Sequence, residues 1–179
     1  MTKKTLFALL TLVALAALAL SACGGRAPKA PTTPDGKPLT LVVLMDRGLE
    51  GKTPDEQNQL NQLGDFHQTN LIAALKDAGY NASLITTTAE FQPAEGLFLL
   101  KVAVVKYNPG AKAARMMVGF GAGSTSLDIH YELFSADPAA PFYAKDHGRA
   151  SSVDWPRLVR VVDSEMIVDI NNQLAAQPK

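Results

Sequence analysis

Asp128, His130 and Glu132 occupy alternate positions of one segment, so a β-strand there would carry all three on one face. Neutral imidazole and carboxylate are ligands of zinc and of harder divalent ions. Three adjacent same-face positions on one strand do not converge on a single ion, however. His67 and His147 stand at no ligand spacing from them. The pattern reads as a solvated strand face, and no metal is expected. Gly119, Gly121 and Gly123 form G-x-G-x-G, the second candidate. A dinucleotide fingerprint needs a strand before the glycines and a helix after them, so that the helix start meets the pyrophosphate. These glycines lead into a strand and the third spacing differs, so no cofactor is expected. They suit a bend that requires positive φ or close backbone approach. Gly121-Ala122-Gly123-Ser124 likewise fails the nucleophile elbow of serine hydrolases. Arg115 carries a planar fork suited to an ion pair or an anionic partner group, with an exposed or capping arginine as the alternative. No catalytic residue is assigned. An enzyme or small-ligand carrier would have to unite Asp46, Arg115 and His130 from three distant segments.

Composition narrows the classes further. The 179 residues hold 17 basic and 17 acidic side chains, so the strong positive footprint of a nucleic-acid binder is absent. One cysteine, Cys23, excludes an internal disulfide framework and any multi-cysteine metal cluster. The 47% apolar content overstates the core, because much of it lies in the first 22 residues. Lys3 and Lys4 precede an apolar run from Leu6 to Leu20 that only Thr11 interrupts. Such a run is too short for a comfortable membrane span and fits the apolar region of an export signal. Without residues 1–22 the chain has a net charge of −2, and its apolar fraction falls to roughly 43%, ordinary for a soluble domain.

The remainder divides into a tether and one domain. Residues 23–38 hold Pro28, Pro31, Pro34 and Pro38, three glycines and almost nothing bulky. Such a stretch buries too little apolar area to offset its ordering entropy. Residues 39–177 read as a single α/β domain. Leu39 to Met45 is a continuous apolar run, as in a strand buried on both faces. Thr53-Pro54-Asp55-Glu56 is a capping box, opening a helix whose apolar stripe includes Leu60, Leu63, His67, Leu71 and Leu75. Gly64 is expected to kink or split that helix, and Gly79 to end it. Ala82 to Thr88 reads as a second strand. Leu97 to Tyr107 reads as a central third strand, and Ser126 to Phe134 as a fourth that alternates cleanly. Pro141 to Lys145 is expected as an edge strand. Ser152 or Asp154 would cap a last helix carrying Leu158, Val162, Met166, Ile170 and Leu174. The order β-α-β-β-β-β-α implies a mixed sheet of four to five strands with two helices packed on one face, an α+β arrangement.

Leu20-Ser21-Ala22-Cys23 resembles the bacterial lipobox, in which a leucine and two small residues precede an obligatory cysteine. The resemblance implies that Cys23 receives diacylglycerol, that residues 1–22 are cleaved and that the new amine is acylated. Two or more acyl chains give stable anchoring where one does not. Gly24 after the cysteine then implies the outer membrane. A second resemblance rests on Asn108-Pro109-Gly110 followed by A-x-R-x-x-V-G-F-G-A-G and an alternating strand. It is to a family of bacterial lipoproteins described only as domain of unknown function 4410, and it implies an envelope α/β domain with no assigned activity. The expectation is therefore an outer-membrane lipoprotein facing the periplasm, serving as a non-enzymatic binding or assembly accessory. Its partners would be the membrane, through Cys23, and an envelope protein or glycan, but no nucleic acid. The alternative is a periplasmic enzyme or small-ligand carrier.

Overall fold

The computed structural model describes residues 29–110, 124–135 and 137–177. Strand β1 (Thr40–Asp46) leads into helix α1 (Pro54–Ala78) and strand β2 (Asn81–Ile85). A short 3-10 turn (Thr88–Glu90) precedes β3 (Leu97–Asn108), β4 (Thr125–Phe134), β5 (Tyr143–Ser151) and helix α2 (Trp155–Ala175). The five strands form one sheet in the order β2-β1-β3-β4-β5. β2, β1 and β3 run parallel, whereas β4 and β5 continue antiparallel. The expected α+β class and element order are the observed ones.

Both helices cover one face of the sheet. Alternate residues of each strand supply that face, among them Leu41, Val43, Leu100, Val102, Ile129 and Tyr131, all nearly inaccessible to water. Leu63, Leu71 and Leu75 of α1 and Val162, Met166 and Ile170 of α2 complete the core. The central strand β3 is apolar on its other face too, at Leu97 and Leu99. There Val42, Leu99 and Phe134 pack under Phe91, which the β2–β3 connection carries across the sheet. The rest of that second face is uncovered by any described element.

α1 begins as its sequence requires. Thr53 Oγ1 accepts from the Glu56 amide, and the Glu56 carboxylate accepts from the Thr53 amide at 2.8 Å. It ends at Gly79, whose φ of 107° is left-handed. Gly64 does not split it, correcting that part of the expectation above. The helix is continuous because glycine here serves packing: a Cβ at Gly64 would lie 2.9 Å from Arg47 Cδ. The Arg47 stem crosses α1 at that point, and its guanidinium reaches Asp65 at 2.7 Å and Asn61 Oδ1 at 3.1 Å.

Two strand boundaries also differ. β2 ends at Ile85, three residues before its expected end, because Glu90 folds back to accept from the Thr86 and Thr87 amides. β5 runs Tyr143–Ser151 rather than Pro141–Lys145. Its helix-facing side chains are polar and find acids on α2. Lys145 meets Asp169 at 2.5 Å, and His147 meets Glu165 at 2.8 Å, with Arg149 on the same Glu165 carboxylate. Tyr131 also donates to Asp169 at 2.8 Å. Arg149, followed by His147, holds the Glu165 carboxyl below its usual range despite partial burial.

Within the stretch read as a tether, residues 29–38 make contacts with the domain. The Ala30 amide donates to Ala78 O at 2.8 Å, while within the stretch itself Thr32 bridges Pro38.

Candidate functional site

Topology nominates one place before any side chain is considered. β1 connects through α1 to β2 on one side, and β2 then returns across the sheet to β3 on the other. In open parallel sheets, ligands bind outside the carboxyl ends of the strands where the connections diverge in this way. Here that point is the gap between the ends of β1 and β3.

The local sequence shapes the gap. Asp46 ends β1 and its carboxylate accepts from the Gly48 amide at 2.8 Å, folding the chain sharply. Gly48 has a φ of +66°, and a Cβ there would stand 2.3 Å from Val104 O of β3. On β3 the register with β4 shifts between Val104 and Lys106, a β-bulge that leaves Val105 more than half exposed. Between the two lies a crevice of about 230 Å³. Lys52, Glu56 and Gln59 line it from the α1 side, and Val105, Lys106 and Tyr107 from β3. Burial pushes the Tyr107 phenol up to about 12, so it stays a neutral hydrogen-bond donor across the physiological range.

A larger groove of about 590 Å³ lies between α1 and α2, with Ala74, Ala78 and Ile167 as apolar lining and Lys29 and Arg160 at its rim. Arg160 lies over the Phe66 ring. Asn70, which also lines the groove, donates to Asp163 at 2.5 Å. We place the candidate site in the smaller crevice, because it combines the switch point, the bulge and polar groups from both walls.

The residues singled out by the sequence fall as follows. Asp128, His130 and Glu132 do share the uncovered sheet face, each in its expected position on β4. Asp46 belongs to the same face. Pairing places Asp46 beside Ala103, Ala103 beside His130, and His130 beside Asp146, in one row across four strands. At about 4.8 Å per strand, Asp46 and His130 stand about 10 Å apart. Both are engaged: Asp46 with Gly48, and His130 Nδ1 with Asp146 Oδ1 at 2.7 Å. Among the described residues no group of three His, Cys, Asp or Glu could hold a metal. Cys23, Arg115, Gly119, Gly121 and Gly123 lie outside the described residues. Sequence reasoning passed over Lys52, Lys106 and Tyr107. Only the bulge and the parallel pairing of β1 with β3 bring them together, and neither leaves a local signature.

The His130 pair has a testable sign. The Asp146 hydrogen bond, assisted by Glu132, raises the imidazole pKa above its ordinary value of 6.5. A raised folded-state value means that the pair's contribution to stability is present below about pH 6.5 and is lost as pH rises through the folded value. An NMR titration is expected to place the His130 midpoint above that of a model peptide, and Asp146→Asn to bring it down. A midpoint unmoved by Asp146→Asn would show that the contact carries no charge interaction in solution. The pair is solvent-exposed, so its effect on overall stability is expected to be small.

Residues 33–151 match the family described as a domain of unknown function, DUF4410. No curated protein matches the sequence. Among solved structures, the PelC dodecamer from Paraburkholderia phytofirmans is similar with 10% identity and a TM-score of 0.49, covering 80% of this chain and 93% of that one. The minor lipoprotein from Acinetobacter baumannii is similar with 16% identity and a TM-score of 0.39, covering 83% of this chain and 100% of that one. Lipoprotein GNA1162 from Neisseria meningitidis shows 15% identity and a TM-score of 0.38, with 78% and 100% covered. At these identities no site residue is carried over.

Proposed function

The chain belongs to the DUF4410 family, a domain without an assigned activity, and from that premise we propose that it is a lipid-anchored protein of the bacterial envelope that acts by binding. In this reading residues 1–22 are a cleaved export signal, and Cys23 carries the acyl chains that hold the protein in the outer membrane. The remaining linker sets the α+β domain on the periplasmic side. The domain is a non-enzymatic binding or assembly accessory to an envelope protein or glycan. The observation that carries the reading is Leu20-Ser21-Ala22-Cys23, placed directly after the apolar run and containing the one cysteine of the chain. Among the described residues no helix is long and apolar enough to cross a membrane.

The alternative, a periplasmic enzyme or ligand carrier, draws on the row that joins Asp46 to His130. Against it, each of those side chains already has a partner, and neither faces the crevice at the strand ends.

Mass spectrometry of the mature N-terminus is expected to show an acylated Cys23. Cys23→Ser is expected to move the protein from the membrane fraction to the soluble one almost completely, since removing the acyl chains removes the anchoring energy. A wild-type protein found in the soluble fraction would refute the anchor.

A further inference from the structure

We propose that the crevice at the carboxyl ends of β1 and β3 binds a small oxyanion, a carboxylate or a phosphate monoester, held between Lys52 and Lys106. The proposal rests on the reading of the domain as a binding module and names the chemistry of what it binds.

Four observations carry it. First, the crevice occupies the switch point of the parallel strands, the position at which such sheets take ligands. Second, Lys52 from the β1–α1 connection and Lys106 from β3 both line it, and neither ammonium lies within ion-pair distance of a described acid, although the Lys52 charge is felt at Glu56 and Lys106 stands opposite Asp128 on β4. Arg47 pairs with Asp65, Lys145 with Asp169 and Arg149 with Glu165. Third, the one acid in the lining is already committed. Glu56 accepts from the Thr53 amide and hydroxyl at 2.8 Å each, and that amide bond holds its carboxyl below the usual range. It stays ionised and leaves the crevice with one excess positive charge. Fourth, the volume of about 230 Å³ is smaller than the sites that enclose drug-sized ligands, which start near 300 Å³. It suits the charged group of a larger molecule whose remainder stays outside. The Tyr107 hydroxyl and the Gln59 amide add neutral donors on the two walls, which suits an acceptor-rich group.

In the first turn of α1, Pro54 has no amide hydrogen, the Glu56 amide is held by Thr53 Oγ1 and the Gln57 amide by Thr53 O. The lysines must therefore supply the charge.

The experiment is an NMR titration of the full mature protein in detergent, with inorganic phosphate and, separately, acetate as probes. Sodium chloride of equal ionic strength is the control. Saturable shifts are expected at Gly48, Lys52, Gln59, Lys106 and Tyr107. Lys52→Ala or Lys106→Ala is expected to weaken binding about tenfold or more each, as loss of a charge-assisted hydrogen bond does. The double variant should not bind. Both lysines are exposed, so an unchanged unfolding midpoint will confirm intact variants. Phosphate binding without acetate binding selects the phosphate monoester, and the converse selects the carboxylate. Either result supports the clamp. Equal shifts with chloride, shifts confined to other residues, or binding that persists in the double variant would overturn it. The lipid anchor is tested independently, because membrane partition of the Lys52→Ala/Lys106→Ala protein depends on Cys23 and not on the crevice.

Discussion

Replacing Asp163 by alanine is expected to destabilise the domain by about 3–5 kcal/mol, the typical cost of removing one partner from a buried ion pair. Asp163 on α2 and His67 on α1 are both completely inaccessible to water, with Nε2 2.7 Å from Oδ1. The approach is off the ideal hydrogen-bond direction, so neither atom counts as bonded on angular criteria. The distance is the stronger indication. At 2.7 Å in an apolar interior the imidazole and the carboxylate are polar partners across the two helices. Asn70 Nδ2 donates to the other carboxylate oxygen at 2.5 Å. Alanine at 163 would strand the imidazole between the helices and leave a cavity beside it. His67→Ala should cost a similar amount, because it strands the carboxylate instead. His67→Leu together with Asp163→Val fills the space with apolar atoms and is expected to recover most of the loss, within about 1–2 kcal/mol of the wild type. Asn70 lines the α1–α2 groove and can turn to water there. Urea unfolding of the four proteins compares the two single losses with the apolar replacement of both partners. Single variants costing less than about 1 kcal/mol would mean that the two side chains do not form a pair.

That pair also shows what the sequence holds and what it hides. His67 sits on the apolar stripe of α1, so its burial follows from spacing alone. Its partner is 96 residues away, and only the packing of α1 on α2 makes Asp163 acceptable in a core. The same limit explains β5. The expected edge strand stopped at Lys145, because Glu165 and Asp169, the acids that neutralise Lys145, His147 and Arg149, belong to another element. Where the signal is local it was legible. The Thr53 to Glu56 capping box, the left-handed Gly79 and the alternation of β4 all stand as the residue order implies. The central position of β3 was readable from its two apolar faces, although Phe91, which covers the second, was not.

The candidate site divides in the same way. Asp46 and His130 do share a face, as alternation along separate strands allows, yet each has found a local partner. The crevice itself depends on a register shift at Val105 and on a glycine pressed against a backbone carbonyl. A bulge adds one residue to a strand without changing its composition, so periodicity carries no trace of it. Lys52 and Lys106 are separated by all of α1, β2 and most of β3. Parallel pairing of β1 with β3 is what sets them on opposite walls.

Gly48→Ala tests that construction and is expected to be the more damaging of two matched glycine replacements. Gly48 and Gly51 have nearly equal backbone angles, with φ of +66° and +70°. Alanine at either position must enter a left-handed conformation, which costs about 1–2 kcal/mol. At Gly51 nothing lies within 4 Å of the added Cβ, so conformational strain is the whole effect. At Gly48 the Cβ would meet Val104 O at 2.3 Å. That atom is backbone of the central strand and cannot rotate away. Either the β1–α1 connection lifts off β3 or the ladder at the bulge distorts, adding about 1–3 kcal/mol as overpacking does. Gly51→Ala is therefore expected to cost about 1–2 kcal/mol and Gly48→Ala about 2–5 kcal/mol, read from denaturant midpoints at constant m-value. Amide shifts in the Gly48→Ala protein should reach Val104, Lys106 and Tyr107, while those in Gly51→Ala stay local. Equal costs at the two positions would show that the connection does not press on β3, and the crevice would lose the contact that sets its width.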